Sequence, residues 1–286
     1  MPDHTLPFDR TRDMTLTRRT FAALSLGAGT ASAVAAERAV DETDVVITMA
    51  DGSCDAALFH PSGSGNWPGA VIFADALGLR PAFRDMGRRL AAEGYTVLVP
   101  NPFYRTRKAP VLSGPFDFAK PEDRAKLTEL MAPLTTETKT RDGAAYIAYL
   151  DTLPQVNRNA PIGVSGYCMG GPYTMFTASA VPERVRAAGS FHGGNLVTDK
   201  PDSPHLLAPR IKASYYFAIA ANDDQRQPDA KDKLREAFAD ATQPVKIEVY
   251  QGCQHGWCVS DGMVYNQSAA DRAFGELTAL YAKALA

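Results

Sequence analysis

The stretch Pro161-Ile162-Gly163-Val164-Ser165-Gly166-Tyr167-Cys168-Met169-Gly170-Gly171-Pro172 limits what this chain can fold into more than any other part of it. A short apolar run leads into Gly166-x-Cys168-x-Gly170, and residues 173–180 beyond it suit a helix. Glycines two positions either side of a central residue, between a strand and a helix, form the pattern of a nucleophile elbow, here with cysteine at its centre. So sharp a turn forces its central residue into strained backbone angles, and strand and helix pass too close for side chains at the flanking positions. Cys168 would then stand at a helix N-terminus, where free N–H groups and the helix dipole favour a thiolate and can hold an oxyanion. The competing reading is a buried structural cysteine between two chance glycines.

The rest of the chain frames such a turn. Residues 45–48 and 55–60 flank Asp51-Gly52, a turn signal, and read as an antiparallel edge hairpin. Residues 70–74 are apolar on both faces and suit the middle of a parallel sheet. Helical periodicity through Phe83, Met86 and Leu90 stops at Gly94, and residues 96–100 form the next buried strand. After a polar and aromatic loop at 101–115, helices are expected at 121–131 and 139–150. Strands at 185–191, 213–219 and 245–250 and helices at 228–239 and 268–285 complete the alternation. Strand alternating with helix predicts a mostly parallel, doubly wound α/β sheet with helices on both faces, its site at the carboxyl ends of the strands.

With 286 residues, 45% of them hydrophobic, the chain can bury one large core without dividing into two domains. A net charge of −2 without any stripe of lysine or arginine argues against nucleic acid or anionic membrane as a partner. Residues 1–36 read as a targeting segment. Thr17-Arg18-Arg19-Thr20-Phe21 carries paired arginines ahead of an apolar stretch that ends at Ala36, and spanning a bilayer needs about 20 apolar residues, more than this stretch holds. The pattern resembles a twin-arginine export signal, with cleavage points at Ala31-Ser32-Ala33 and Ala33-Val34-Ala35. The expectation is therefore a signal at 1–36, a catalytic domain at 41–286, the twin-arginine export machinery as a partner, and a monomer working in the periplasm.

In the α/β-hydrolase fold the chain order is nucleophile, acid, histidine, each on a loop after a strand. Here Cys168 is followed by Asp224, four residues before Pro228, and then by His255 in Gly252-Cys253-Gln254-His255-Gly256-Trp257. Asp224 would hold the imidazole tautomer, His255 would accept and return the proton, and the Cys168 thiolate would attack an acyl carbon. Asp223 is the alternative acid. Of the other histidines, His4 falls in the leader, His60 and His205 read as residues of surface loops, and His192 ends a strand as a packing residue near the site.

From about Asp41 to Ala286 the chain resembles the dienelactone hydrolase family. The matching residues are Gly166-Tyr167-Cys168-Met169-Gly170-Gly171, Asp224 with Pro228, His255-Gly256-Trp257, and Asp75-Ala76-Leu77-Gly78-Leu79 with Leu90-Ala91-Ala92-Glu93-Gly94-Tyr95. The resemblance implies a cofactor-free hydrolase of carboxylic esters or lactones, of carboxymethylenebutenolidase type, with an acyl-cysteine intermediate. It further implies an oxyanion hole from the N–H groups of Met169 and Ala76, and an anionic substrate whose carboxylate is gripped by Arg105, with Arg80 and Arg107 as neighbours. Two positions depart from the family pattern. Asp75 stands where a glutamate contacts the resting thiol, and is expected to restrain Cys168 or else to cap the next helix or pair with Arg80. Val259 stands where a second carboxylate-binding arginine would be.

Two readings from other classes remain. The same fold could serve as a general carboxylesterase or thioesterase, or as a non-catalytic binding protein with a redox or ligand-binding thiol at Cys168. Cys253, His255 and Cys258 have zinc-like spacing but lack a fourth ligand, so no metal site is expected, and a Cys253–Cys258 disulfide suits an oxidising compartment better.

Overall fold

An N-terminal hairpin followed by alternating strands and helices makes up the computed structural model, which describes residues 38–112, 114 and 116–286. The proposed leader, with its paired arginines and both cleavage points, lies outside the described residues. Strands β1 (Val40–Met49) and β2 (Gly52–Pro61) pair antiparallel across Asp51-Gly52, where Gly52 takes a φ of 137°. That angle is open to glycine and closed to nearly every other residue. Strand β2 also runs antiparallel to β4 (Thr96–Pro100). From there β4, β3 (Gly69–Phe73), β5 (Ile162–Tyr167), β6 (Val185–Phe191), β7 (Ser214–Ala220) and β8 (Val245–Tyr250) run parallel, in the order β1-β2-β4-β3-β5-β6-β7-β8. Every residue of β3, β4 and β5 is buried, which is why these segments are uniformly apolar or small.

Helices α1 (Pro81–Ala92) and α7 (Gln267–Ala284) cover one face of the sheet, where Phe83, Leu90, Leu277 and Tyr281 join Phe59, Ile72 and Tyr216 in the core. On the other face α3 (Thr136–Leu150) and α4 (Gly170–Ala180) bury Tyr146, Leu150, Tyr173 and Met175 against Phe73, Val164 and Ala188. Helix α4 is buried all round from Gly170 to Ser179, and its lack of a polar stripe reflects that position. A third, small cluster of Phe103, Val111, Leu130, Leu134 and Met169 anchors α2 (Pro121–Met131) beside the elbow. The fold is that of the α/β hydrolases, as the alternation predicts.

Chain direction across the sheet reverses at β3: the next strand, β4, pairs on one side of it and β5 on the other. At such a switch point the following loops separate and leave a crevice at the carboxyl ends of the strands. Asp75 leaves β3 and Cys168 leaves β5 at this crevice. Among the described residues no helix is long and apolar enough to cross a membrane.

Three local expectations change. The segment after β7, expected as a loop, is a short helix, α5 (Ala221–Arg226), because Asp223 and Asp224 fall in its first turn and favour the positive end of a helix. His60 lies on β2 and stacks on Trp67, and His205 sits in a 3-10 turn, Pro204–Arg210, bonded to Ser203 Oγ at 2.7 Å, so neither belongs to a free loop. The helix expected at 228–239 is the shorter α6 (Ala230–Ala237).

Candidate active site

The elbow has the geometry its glycines require. Cys168 takes a φ of 53°, a left-handed conformation that a non-glycine residue adopts only when its surroundings enforce it. A Cβ on Gly166 would lie 2.0 Å from the Gly170 carbonyl oxygen, and one on Gly170 would lie 2.2 Å from the Phe73 carbonyl oxygen, so neither position can carry a side chain. The turn is pinned from the neighbouring strand: Cys168 N–H donates to Phe191 O at 3.1 Å, and the Cys168 carbonyl accepts from Gly171 and Gly194 N–H, each at 3.1 Å. Cys168 therefore sits just ahead of the α4 N-terminus, partly exposed at the crevice.

His255 reaches the same crevice from the loop after β8. Asn222 Oδ1 accepts its backbone N–H at 2.8 Å, and Asp223 Oδ2 lies 2.6 Å from Nδ1. With Nδ1 held by the carboxylate, Nε2 is the ring nitrogen left for the thiol. Burial alone would lower the basicity of the imidazole, but the hydrogen bonds to Asp223 and Cys168 outweigh it and push the pKa up to about 10. The carboxylate on the ring is thus Asp223, and the expectation of Asp224 is corrected. Asp224 Oδ1 instead accepts from Lys231 Nζ at 2.7 Å. Consecutive residues on a helix diverge by about 100°, so only one of the two aspartates on α5 can point at His255.

His192, at the end of β6, completes the support. It is fully buried at a φ of 40°, edge-on to both His255 and Trp257 with ring centroids 5.1 Å apart in each case. Neither of its ring nitrogens has a hydrogen-bond partner among the described residues. Burial, and then the charge of His255, hold its pKa well below the ordinary histidine value, so it packs as a neutral ring.

Ala76 occupies the second position of a turn closed by Gly78 N–H on the Asp75 carbonyl at 3.0 Å, and it lines the crevice. Met169, next to Cys168, is buried in the small cluster beside α2. Asp75 does not bond to Cys168 among the described residues. Its Oδ1 accepts Leu77 N–H at 2.9 Å and Arg80 Nη1 at 2.6 Å, while Oδ2 accepts Arg80 Nη2 at 2.9 Å. The expected restraint on the thiol gives way to the pairing with Arg80, because a bidentate guanidinium five residues on is the stronger partner.

Arg105 is corrected as well. Its Nη1 and Nη2 donate to the two oxygens of Asp142, each at 2.7 Å, and Nε donates to Asp51 Oδ2 at 2.7 Å. Its side chain is 9% exposed, lies over the Tyr104 ring and takes no part in lining the crevice. Nor does Arg107, whose Nη1 caps the Val111 carbonyl at 3.2 Å.

The crevice is a cavity of about 550 Å³, a size that suits a small substrate. Cys168, His192 and His255 line it, and Leu77, Leu112, Phe116, Phe118, Met263 and Val264 form much of the rest of the wall. Those aromatic and aliphatic residues come from the segment after β3 (Leu77), from the stretch between β4 and α2 (Leu112, Phe116, Phe118) and from the segment after His255 (Met263, Val264), none of which shows any periodicity. Only their position beside the elbow marks them. Among the described residues no three His, Cys, Asp or Glu side chains gather as metal ligands would. Cys253 and Cys258 are separate buried thiols, without the expected bridge. A further cavity of about 260 Å³ lies between α1 and α7, lined by Cys258 and Phe274 and away from Cys168 and His255.

Residues 54–285 match the Dienelactone hydrolase family. The carboxymethylenebutenolidase of Rhodococcus opacus is 26% identical over 201 residues, covering 70% of this chain and 74% of the relative. Among solved structures, a dienelactone hydrolase-like promiscuous phosphotriesterase from metagenomic libraries superposes with a TM-score of 0.70 at 21% identity, covering 87% of this chain and 100% of the other. The dienelactone hydrolase from Anabaena variabilis gives 0.61 at 15% identity, covering 86% and 99%. The chain belongs to the dienelactone hydrolase family and is an ester or lactone hydrolase.

Proposed function

We propose that the chain cleaves its ester or lactone through an acyl-Cys168 intermediate, with His255 as proton carrier and Asp223 as the group that holds it. The observation carrying this reading is the line Cys168–His255–Asp223 at the switch point, with the sulfur on a strained elbow and the carboxylate 2.6 Å from the ring. In the first half, the Cys168 thiolate attacks the acyl carbon and the carbonyl electron pair moves onto oxygen, where the N–H groups of Met169 and Ala76 would receive it. Collapse expels the alkoxide, which takes the Nε2 proton of the imidazolium and leaves a thioester. In the second half, water gives a proton to Nε2 as its oxygen attacks the thioester. The acid departs and the thiolate–imidazolium pair is restored.

Paired variants on α5 test the assignment of the acid. Asp223→Asn is expected to lower kcat/KM by about a hundredfold or more, because the ring loses both its tautomer and its charge partner. Asp224→Asn should stay within a few-fold of the parent. The sign of the pH effect follows from the raised imidazole pKa: the imidazolium needed to protonate an alkyl leaving group is present below about 10 and lost above it. With an alkyl ester, the alkaline limb of kcat/KM should therefore fall near that pH and move lower in Asp223→Asn. Equal losses in the two variants, or a limb that does not move, would reject Asp223. Residues 1–36 support export by the twin-arginine route, and mass spectrometry of a periplasmic extract, in which the chain should lack them, is the check.

A further inference from the structure

The charged groups that line the crevice bear on what it admits. Among the described residues these are Asp75, Arg80 and Asp261, apart from His255 itself. Arg80 has five N–H donors, and each has an acceptor: Nε on Asp261 Oδ2 at 2.7 Å, Nη1 on Asp75 Oδ1 at 2.6 Å and on the Gly78 carbonyl at 3.2 Å, Nη2 on Asp75 Oδ2 at 2.9 Å and on Asp261 Oδ1 at 3.0 Å. Two carboxylates and one guanidinium leave the wall with a surplus negative charge. No donor of Arg80 remains for a substrate carboxylate, Arg105 is turned to Asp142 and Asp51, and Arg107, which donates to the Val111 carbonyl, does not line the crevice. Buried Val259 supplies an apolar surface at another point of the wall.

Resting on the reading of Cys168 as the nucleophile, we infer that this enzyme selects uncharged esters with apolar acyl chains and discriminates against substrates bearing a carboxylate. An apolar chain entering between Phe116, Phe118, Met263 and Val264 removes its own surface and theirs from water, since Phe118 is 57% exposed and Met263 wholly so. A carboxylate in the same place loses water and finds no arginine donor to spare on the wall, and it faces the residual negative charge of the Asp75–Arg80–Asp261 cluster. Asp261, at the exposed rim, sets this charge: without it Arg80 would regain two donors and the cluster would be neutral.

Three substrates with one leaving group test this: para-nitrophenyl hexanoate, para-nitrophenyl methyl adipate and para-nitrophenyl hydrogen adipate, each corrected for uncatalysed hydrolysis. The wild-type kcat/KM for the anionic adipate is expected to fall about tenfold or more below that of its methyl ester, with a smaller gap at high ionic strength. Asp261→Ala should raise the anionic-to-neutral ratio several-fold, and Asp261→Asn should move it less in the same direction. Equal wild-type values for the two adipates, or a ratio unchanged in both variants, would overturn the inference. If that happens while Cys168→Ala abolishes turnover of all three, only the substrate class is wrong. Turnover that survives in Cys168→Ala would overturn the reading beneath it and this inference together.

Discussion

Cys168→Ala is expected to lower kcat/KM for activated esters by about four to six orders of magnitude, with the fold and substrate affinity retained. The magnitude follows from what the substitution leaves. The oxyanion donors and the cavity persist, but no group can form the covalent intermediate, and His255 has no thiol with which to exchange a proton. Alanine is smaller than cysteine and meets the same left-handed backbone at φ 53°, so its structural effect is confined to one residue. Mass spectrometry during turnover supplies the second readout: a wild-type sample quenched in acid should carry the acyl mass on Cys168, and the variant should carry none. Residual hydrolysis within a few-fold of wild type would reject the cysteine mechanism. Because Cys54, Cys253 and Cys258 are all buried, iodoacetamide should modify Cys168 first and inactivate the enzyme in step with its labelling.

The second large effect concerns stability. Arg105→Ala is expected to destabilise the fold by about 3 to 5 kcal/mol while leaving the relative kcat/KM values for anionic and neutral esters unchanged in the folded enzyme. Asp142 is 2% exposed, with both oxygens on the guanidinium and Tyr104 Oη donating to it at 3.1 Å. Without its partner the carboxylate would be an unpaired charge among Tyr104, Tyr146 and Tyr173, and Asp142→Ala should cost about as much by stranding the guanidinium. The pair ties three parts of the chain together, since Arg105 follows β4, Asp142 lies on α3 and Asp51 belongs to the β1–β2 turn. Urea unfolding gives the measurement. Replacing both partners, as in Arg105→Met with Asp142→Leu, should recover much of the loss, because the penalty comes from an uncompensated charge. A stable Arg105→Ala that selectively lost activity on anionic esters would instead restore Arg105 as a substrate ligand.

What could be read without coordinates was whatever depends on neighbours along the chain. Gly166 and Gly170 announce the elbow because the clash they avoid is with residues a few positions away or on the strand the turn must cross. The apolar runs at β3, β4 and β5 announce a parallel sheet because burial on both faces removes the alternation an exposed sheet would show. His255 was legible from its order after the nucleophile. The spacing to Pro228 pointed to Asp224, and the ring meets Asp223 instead, because adjacent residues differ by one helical step and only the orientation of α5 against the loop after β8 separates them. The arginines depended still more on distant residues. A guanidinium binds whichever carboxylate packing brings to it, and Asp142, 37 positions from Arg105, and Asp261, 181 positions from Arg80, arrive only when helix and loop dock on the sheet. Local sequence therefore determined the sheet, the turn and the position of the thiol, while tertiary packing decided which charges face the crevice and which are neutralised beside it, because an ion pair is set by distance in space and carries no periodicity along the chain.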